Sequence, residues 1–200
     1  MPVNLATPPP ESTQVLQDTL QRWVNQPSLA PQSSNIGISF ATDAGVQVQL
    51  PHPVYNLSLA DLVAGKTLTA ATLVSWRYLL NDSETTAMAE VSPSAAGQAS
   101  ALTMINRGPF VASLVQAVDA AGANTAFNTG TYEVAVLSIP ALYVMALWLR
   151  SATPGGGTLI PLSPAPTQLT AGQSYTEPAF LLALAPLAQQ KSSTGGSALA

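Results

Sequence analysis

Apolar positions along this chain repeat with two periods, and the period changes from segment to segment. Between Glu11 and Asn25 the residues Leu16, Leu20, Trp23 and Val24 recur every three or four positions, which gathers them on one face of a helix. Ser12 or Thr13 is available as N-cap, and Pro27 and Pro31 follow the segment and end it. The spacing therefore predicts one amphipathic helix.

Alternation takes over next. Ile36, Ile38 and Phe40, then Val46, Val48 and Leu50, alternate with small or polar residues on either side of Asp43-Ala44-Gly45, a hairpin signal. The polar positions are Gln and Ser where Lys or Glu usually protects a strand edge, so an edge here invites pairing. Leu57 to Ala64 reads as a short helix with Ser58 as cap, Asp61 in the first turn and Gly65 as the left-handed stop. Leu73 to Leu80 reads as a strand, with Val74, Trp76, Tyr78 and Leu80 on one face and Ser75 and Arg77 on the other. Residues 81–100 are rich in Ser, Ala, Gly and Thr, and offer one short strand around Met88 to Val91.

The clearest helix starts at Pro109, whose missing N–H costs nothing in a first turn. Phe110, Val111, Leu114, Val115 and Val118 form its stripe, and Gly122 marks its end. Three strands follow, at Tyr132–Ile139, Ala141–Arg150 and Thr158–Leu162, the last two joined by Ser-Ala-Thr-Pro-Gly-Gly-Gly as an antiparallel pair. Ala141 to Leu149 is apolar on both faces, which predicts a central strand covered on both sides. Pro161, Pro164 and Pro166 close the sheet region, and Thr176 caps a last helix through Phe180, Leu181 and Leu184 that Pro186 stops or kinks. These elements predict an α+β fold: a mainly antiparallel sheet of about five to seven strands with three or four helices, in a single domain over 11–190. Residues 1–10, with four prolines, predict an extended arm, and the Ser/Gly-rich 191–200 a flexible tail.

Composition narrows what such a fold does. Hydrophobic residues make up 47% of the 200 positions and charged residues 8%, against about a quarter charged in ordinary soluble domains. The six basic residues, Arg22, Lys66, Arg77, Arg107, Arg150 and Lys191, are dispersed and outnumbered by ten acidic ones. That removes the clustered cations that nucleic-acid binding depends on. No cysteine is present, so disulfides, thiolate metal sites and thiol nucleophiles are excluded together. The first ten residues lack the basic and apolar regions of a secretory signal, which predicts synthesis in the cytoplasm. The apolar run Val134 to Leu149 is broken by Ser138 and Pro140 and falls short of the roughly 20 residues that span a bilayer.

Candidate chemistry is sparse. Ala-Gly-Lys-Thr at 64–67 ends like a phosphate loop, but Ala60 stands where that loop needs its first glycine, and the segment reads as a helix end. His52, the one histidine, lies between Pro51 and Pro53 with only Asp43 and Asp61 as acidic residues nearby, too few partners for a base or a metal site. Asn56-Leu57-Ser58 and Asn81-Asp82-Ser83 fit a glycosylation acceptor but read as a cap and a turn. Asp82 and Glu84 are close enough to share a cation but likewise read as a turn. No metal or other cofactor is expected. Arg107-Gly108-Pro109 opens a helix, where backbone amides and one cation can hold an anion.

These observations favour a non-enzymatic structural or interaction subunit that self-associates, as a homo-oligomer or as part of a particle or filament. Neutral surfaces lose little solvation when buried, and in composition the chain is similar to many virion, surface-layer and fimbrial subunits. A second reading is a module that binds a small hydrophobic ligand between helix and sheet through Trp76, Tyr78, Tyr143, Met145 and Trp148. An enzyme whose site is assembled from distant residues stays open, because spacing along a chain does not reveal neighbours in space.

Overall fold

The computed structural model describes residues 3–31, 46–82, 85–93, 99–127 and 132–196. In chain order they form strand β1 (Val3–Leu5), helix α1 (Pro10–Asn25), strand β2 (Gln47–Asn56), helix α2 (Leu59–Val63), and strands β3 (Thr72–Asn81), β4 (Thr86–Pro93) and β5 (Ala99–Asn106). Helix α3 (Pro109–Ala123) follows, then strands β6 (Tyr132–Ile139), β7 (Val144–Ser151), β8 (Thr158–Pro161) and β9 (Tyr175–Thr176), and helix α4 (Glu177–Gly196). The fold is α+β, as the pattern predicts, with nine strands instead of the expected five to seven. Strand order is β5-β4-β3-β2-β6-β7-β8-β9, with β1 also on β6. The sheet is mainly antiparallel; β2 meets β6 in parallel, Val54 opposite Val136.

The chain divides into two compact units, the first made of Met1–Asn4, Val54–Leu73 and Ser113–Ala200 and the second of Leu5–Pro53 and Val74–Ala112. In the first, Ala135, Leu137 and Ile139 of β6 and Ala146 and Trp148 of β7 alternate onto one face. Phe180, Leu184 and Ala188 of α4, at helix spacing, pack in the same core. The intervening Val134, Val136, Leu147 and Leu149 are buried as well, so β7 is covered on both faces and sits between β6 and β8 as expected.

In the second unit Leu16 and Leu20 of α1 pack on Trp76, Tyr78 and Leu80 of β3 and on Ala87, Ala89 and Val91 of β4. Ser12 is no cap: α1 begins at Pro10 without a side-chain cap, and the Ser12 hydroxyl is buried 2.6 Å from the Tyr78 hydroxyl. The opposite face of β3, with Ser75 and Arg77, is covered too. Ser75 is buried, and Arg77 lies inside with its Nε donating to Glu90 Oε2 at 2.7 Å, across the register position that pairs the two residues.

Other expectations shift at their ends. β7 starts at Val144 and not at Ala141, because Pro140–Leu142 form a 3-10 turn and Tyr143 takes a left-handed conformation (φ 55°). Helix α4 passes through Pro186 and takes in residues 191–196, which the composition assigns to a tail. In the Pro-rich arm, Val3–Leu5 pairs with β6 of the same chain. The Ile36 to Phe40 arm of the hairpin and its turn lie outside the described residues. Its second arm became β2, which runs on through Pro51 and Pro53. A central strand tolerates them because the β6 ladder begins just past them, at Val54.

Candidate functional site

Strand register assembles a group of charged and aromatic side chains that converges on an open cleft. Trp148 and Arg150 are two residues apart on β7 and share a face. The β6–β7 register puts Glu133 directly opposite Arg150, and Tyr55 stands at the end of β2. Arg150 Nη1 donates to Tyr55 Oη at 2.8 Å and to Glu133 Oε1 at 2.7 Å. The guanidinium also lies 4.5 Å from the Tyr55 ring centre and 5.1 Å from that of Trp148, within range of the attraction between a cation and an aromatic face. The two rings meet edge to face at 5.5 Å. Burial pushes the Tyr55 hydroxyl above its ordinary pKa of 10.0, with Arg150 pulling the other way and Glu133 adding to the rise, so the phenol is neutral at physiological pH.

Glu177, the first residue of α4, completes the wall by accepting from Trp148 Nε1 at 3.1 Å. Gly157 makes this contact possible, since a Cβ there would collide with the Glu177 carboxylate and lie 2.9 Å from Trp148 Nε1. The cleft has a volume of about 280 Å³ between these side chains, Thr69 and the loop at Ser151–Gly155. It shares Thr69, Pro154, Gly155 and Glu177 with a pocket of about 520 Å³ lined by Leu62, Pro178, Leu181, Leu182 and Ala185. Among the described residues Arg150 bonds only through Nη1 and Glu177 only through Oε1. The Nε and Nη2 donors of one and the second oxygen of the other remain available.

Of the residues singled out from sequence, Trp148 lines this cleft. Trp76 and Tyr78 belong to the core of the second unit and Trp148 to that of the first. Tyr143 is exposed at its turn, and Arg107 is exposed ahead of α3. Lys66 of the phosphate-loop-like stretch pairs with Asp61 at 2.6 Å, while Ser58 caps α2 and Gly65 (φ 68°) ends it as expected. Lys66 and Ser58 together hold the half-buried Asp61 carboxyl below its usual range. Tyr55, Glu133, Arg150 and Glu177 carry no sequence motif. Equal counting outward from the Pro140–Tyr143 turn would have paired Glu133 with Arg150, and that is the one signal the sequence held.

His52 is fully buried in the second unit, with Nδ1 2.7 Å from the Leu50 carbonyl. The carbonyl accepts, so Nδ1 carries the hydrogen and Nε2 is left bare. Nε2, Ser75 Oγ and Trp76 Nε1 are buried without a partner among the described residues. Burial lowers the His52 pKa to about 4.

No family model matches this chain, nor does any curated protein or solved structure. Among the described residues no group of three or more His, Cys, Asp or Glu could hold a metal ion, and no helix is long and apolar enough to cross a membrane.

Proposed function

We propose that this chain is a non-enzymatic binding module that holds a small amphipathic molecule in the Arg150–Glu177 cleft and the apolar pocket beside it. The observation that carries this reading is the convergence there of accessible donors on Arg150, a second carboxylate oxygen on Glu177 and an aromatic wall, opening onto an apolar pocket. Binding sites are mostly apolar with a few placed polar groups, and this cleft has that composition. Among the described residues none of its hydroxyls, on Tyr55, Thr69, Ser151 and Thr153, is hydrogen-bonded to a carboxylate or an imidazole. A hydroxyl nucleophile without an adjacent base is weak, which favours binding over turnover.

The test is thermal denaturation of the purified chain with a panel of aromatic and aliphatic amines, acids and amides. Bound ligands raise the melting temperature, by about 2.7 kcal/mol of stability at a hundredfold excess over Kd. The shift is expected in the natural chain and lost in Ala185→Phe, which fills the apolar pocket from the surface of α4. A panel without effect on the natural chain overturns the reading.

Self-association is the second reading, favoured by the low charge and by exposed apolar side chains such as Leu182, Tyr143 and Leu29. Its occupant is a second copy, and its test is particle mass in solution. Multiples of 20.6 kDa that persist at high salt support it; a single 20.6 kDa species at every concentration sinks it.

A further inference from the structure

Resting on the cleft reading, the electrostatics point to the kind of molecule that fits. Arg150 is already paired with Glu133 at 2.7 Å, so the charge in the cleft without an opposite ion is that of Glu177, in the first turn of α4. An anionic ligand would bring its charge next to that carboxylate, and like charges at close range disfavour binding. A cation is therefore favoured. Arg150 still offers Nε and Nη2, which ask for an acceptor oxygen, and a neutral carbonyl supplies one without adding negative charge. Lys66 lines the apolar pocket but is held by Asp61 and does not change this balance.

We infer that the site takes an α-aminoacyl group with an apolar side chain, its ammonium on Glu177, its carbonyl oxygen on Arg150 and its side chain among Leu62, Leu181 and Leu182. Glu177 and Arg150 line the same cleft and both meet the Trp148 indole, Glu177 through the ring nitrogen at 3.1 Å and Arg150 over the ring at 5.1 Å from its centre, so one small ligand lying along that indole can face both. Such a group occurs on free amino acid amides and on the first residue of a peptide, and the chemistry recognised is the same in both.

Isothermal titration with L-phenylalaninamide tests this. Saturable binding is expected, weaker by about tenfold or more for N-acetyl-phenylalaninamide, which lacks the ammonium, for phenethylamine, which lacks the carbonyl, and for 3-phenylpropionate, which carries the opposite charge. Glu177→Gln keeps an oxygen for the indole but removes the charge. It should weaken phenylalaninamide about tenfold and leave the acetylated compound unchanged. A tripeptide amide beginning with Phe separates the sources: tighter binding than phenylalaninamide marks a peptide terminus, equal or weaker binding a free amide, and either result supports the aminoacyl chemistry. If the acid or the acetylated amide binds as well as phenylalaninamide, or Glu177→Gln changes nothing, the aminoacyl assignment falls while the cleft stands as a binding site. If none of these compounds binds, whereas other members of the thermal panel do, the assignment again falls alone.

Discussion

His52 shows how one side chain ties the core to pH. Its ring is fully buried beside a carbonyl, and burial lowers its pKa from 6.5 to about 4, with Arg77 lowering it further and the Leu50 hydrogen bond and Glu90 opposing. The unfolded chain therefore binds a proton in the window between these values while the folded chain does not. Stability is complete above pH 6.5 and falls as pH drops toward 4, by about 2 kcal/mol between pH 7 and pH 5. Urea denaturation at the two pH values should record that loss in the natural chain and a much smaller one in His52→Asn. Gly157 makes a second single-residue case. Gly157→Ala forces the Glu177 carboxylate and the Trp148 indole apart, and is expected to cost roughly 1–3 kcal/mol, with a change in the Trp148 indole resonance as the direct readout. The identity of these residues was in plain view in the sequence, but their environments were not. Nothing in Pro51-His52-Pro53 says that the ring is inside, and nothing in the Gly-Gly-Gly run says that its third member lies against Glu177.

Elements with regular periods were legible, and those with interrupted periods were not. Helix α3 and strands β3, β6 and β8 fall within a few residues of their expected positions because each keeps one period throughout. β5 was missed. Its register against β4 slips at Glu90/Val91 and at Ser92/Pro93, leaving Thr103 and Ser100 as extra residues. The inward residues Leu102 and Ile105 are consequently three apart, and no alternation survives. The bulges also bear on self-association, since an uncharged edge that bends away is protected by shape. Helix α4 does not stop at Pro186: it continues with Ala188 buried in the same stripe as Phe180 and Leu184. Pro186 is on the exposed side, where a lost backbone hydrogen bond finds water. Pro186→Ala restores the donor and should raise stability by about 1 kcal/mol or more, measured as an increase in melting temperature.

Taken as a whole, the molecule has little charge left to spend on solubility. Among the described residues three of the six basic side chains are in ion pairs, Lys66 with Asp61, Arg77 with Glu90 and Arg150 with Glu133, and the isoelectric point is near 4.6. Loss of net repulsion and the acid destabilisation through His52 coincide near that pH. Static light scattering across pH 3.5–8 should peak close to 4.6, and a maximum near neutrality would contradict this account. The α+β class, the helices and most strands, the lack of cysteine and the scarcity of ions follow from the order of residues, because local periodicity and composition are properties of neighbours along the chain. The pairing of Glu133 with Arg150, the approach of Tyr55 and Glu177 and the cleft they line did not follow. They join residues as many as 95 positions apart, and only the register of paired strands and the docking of a helix end bring such groups within hydrogen-bonding distance.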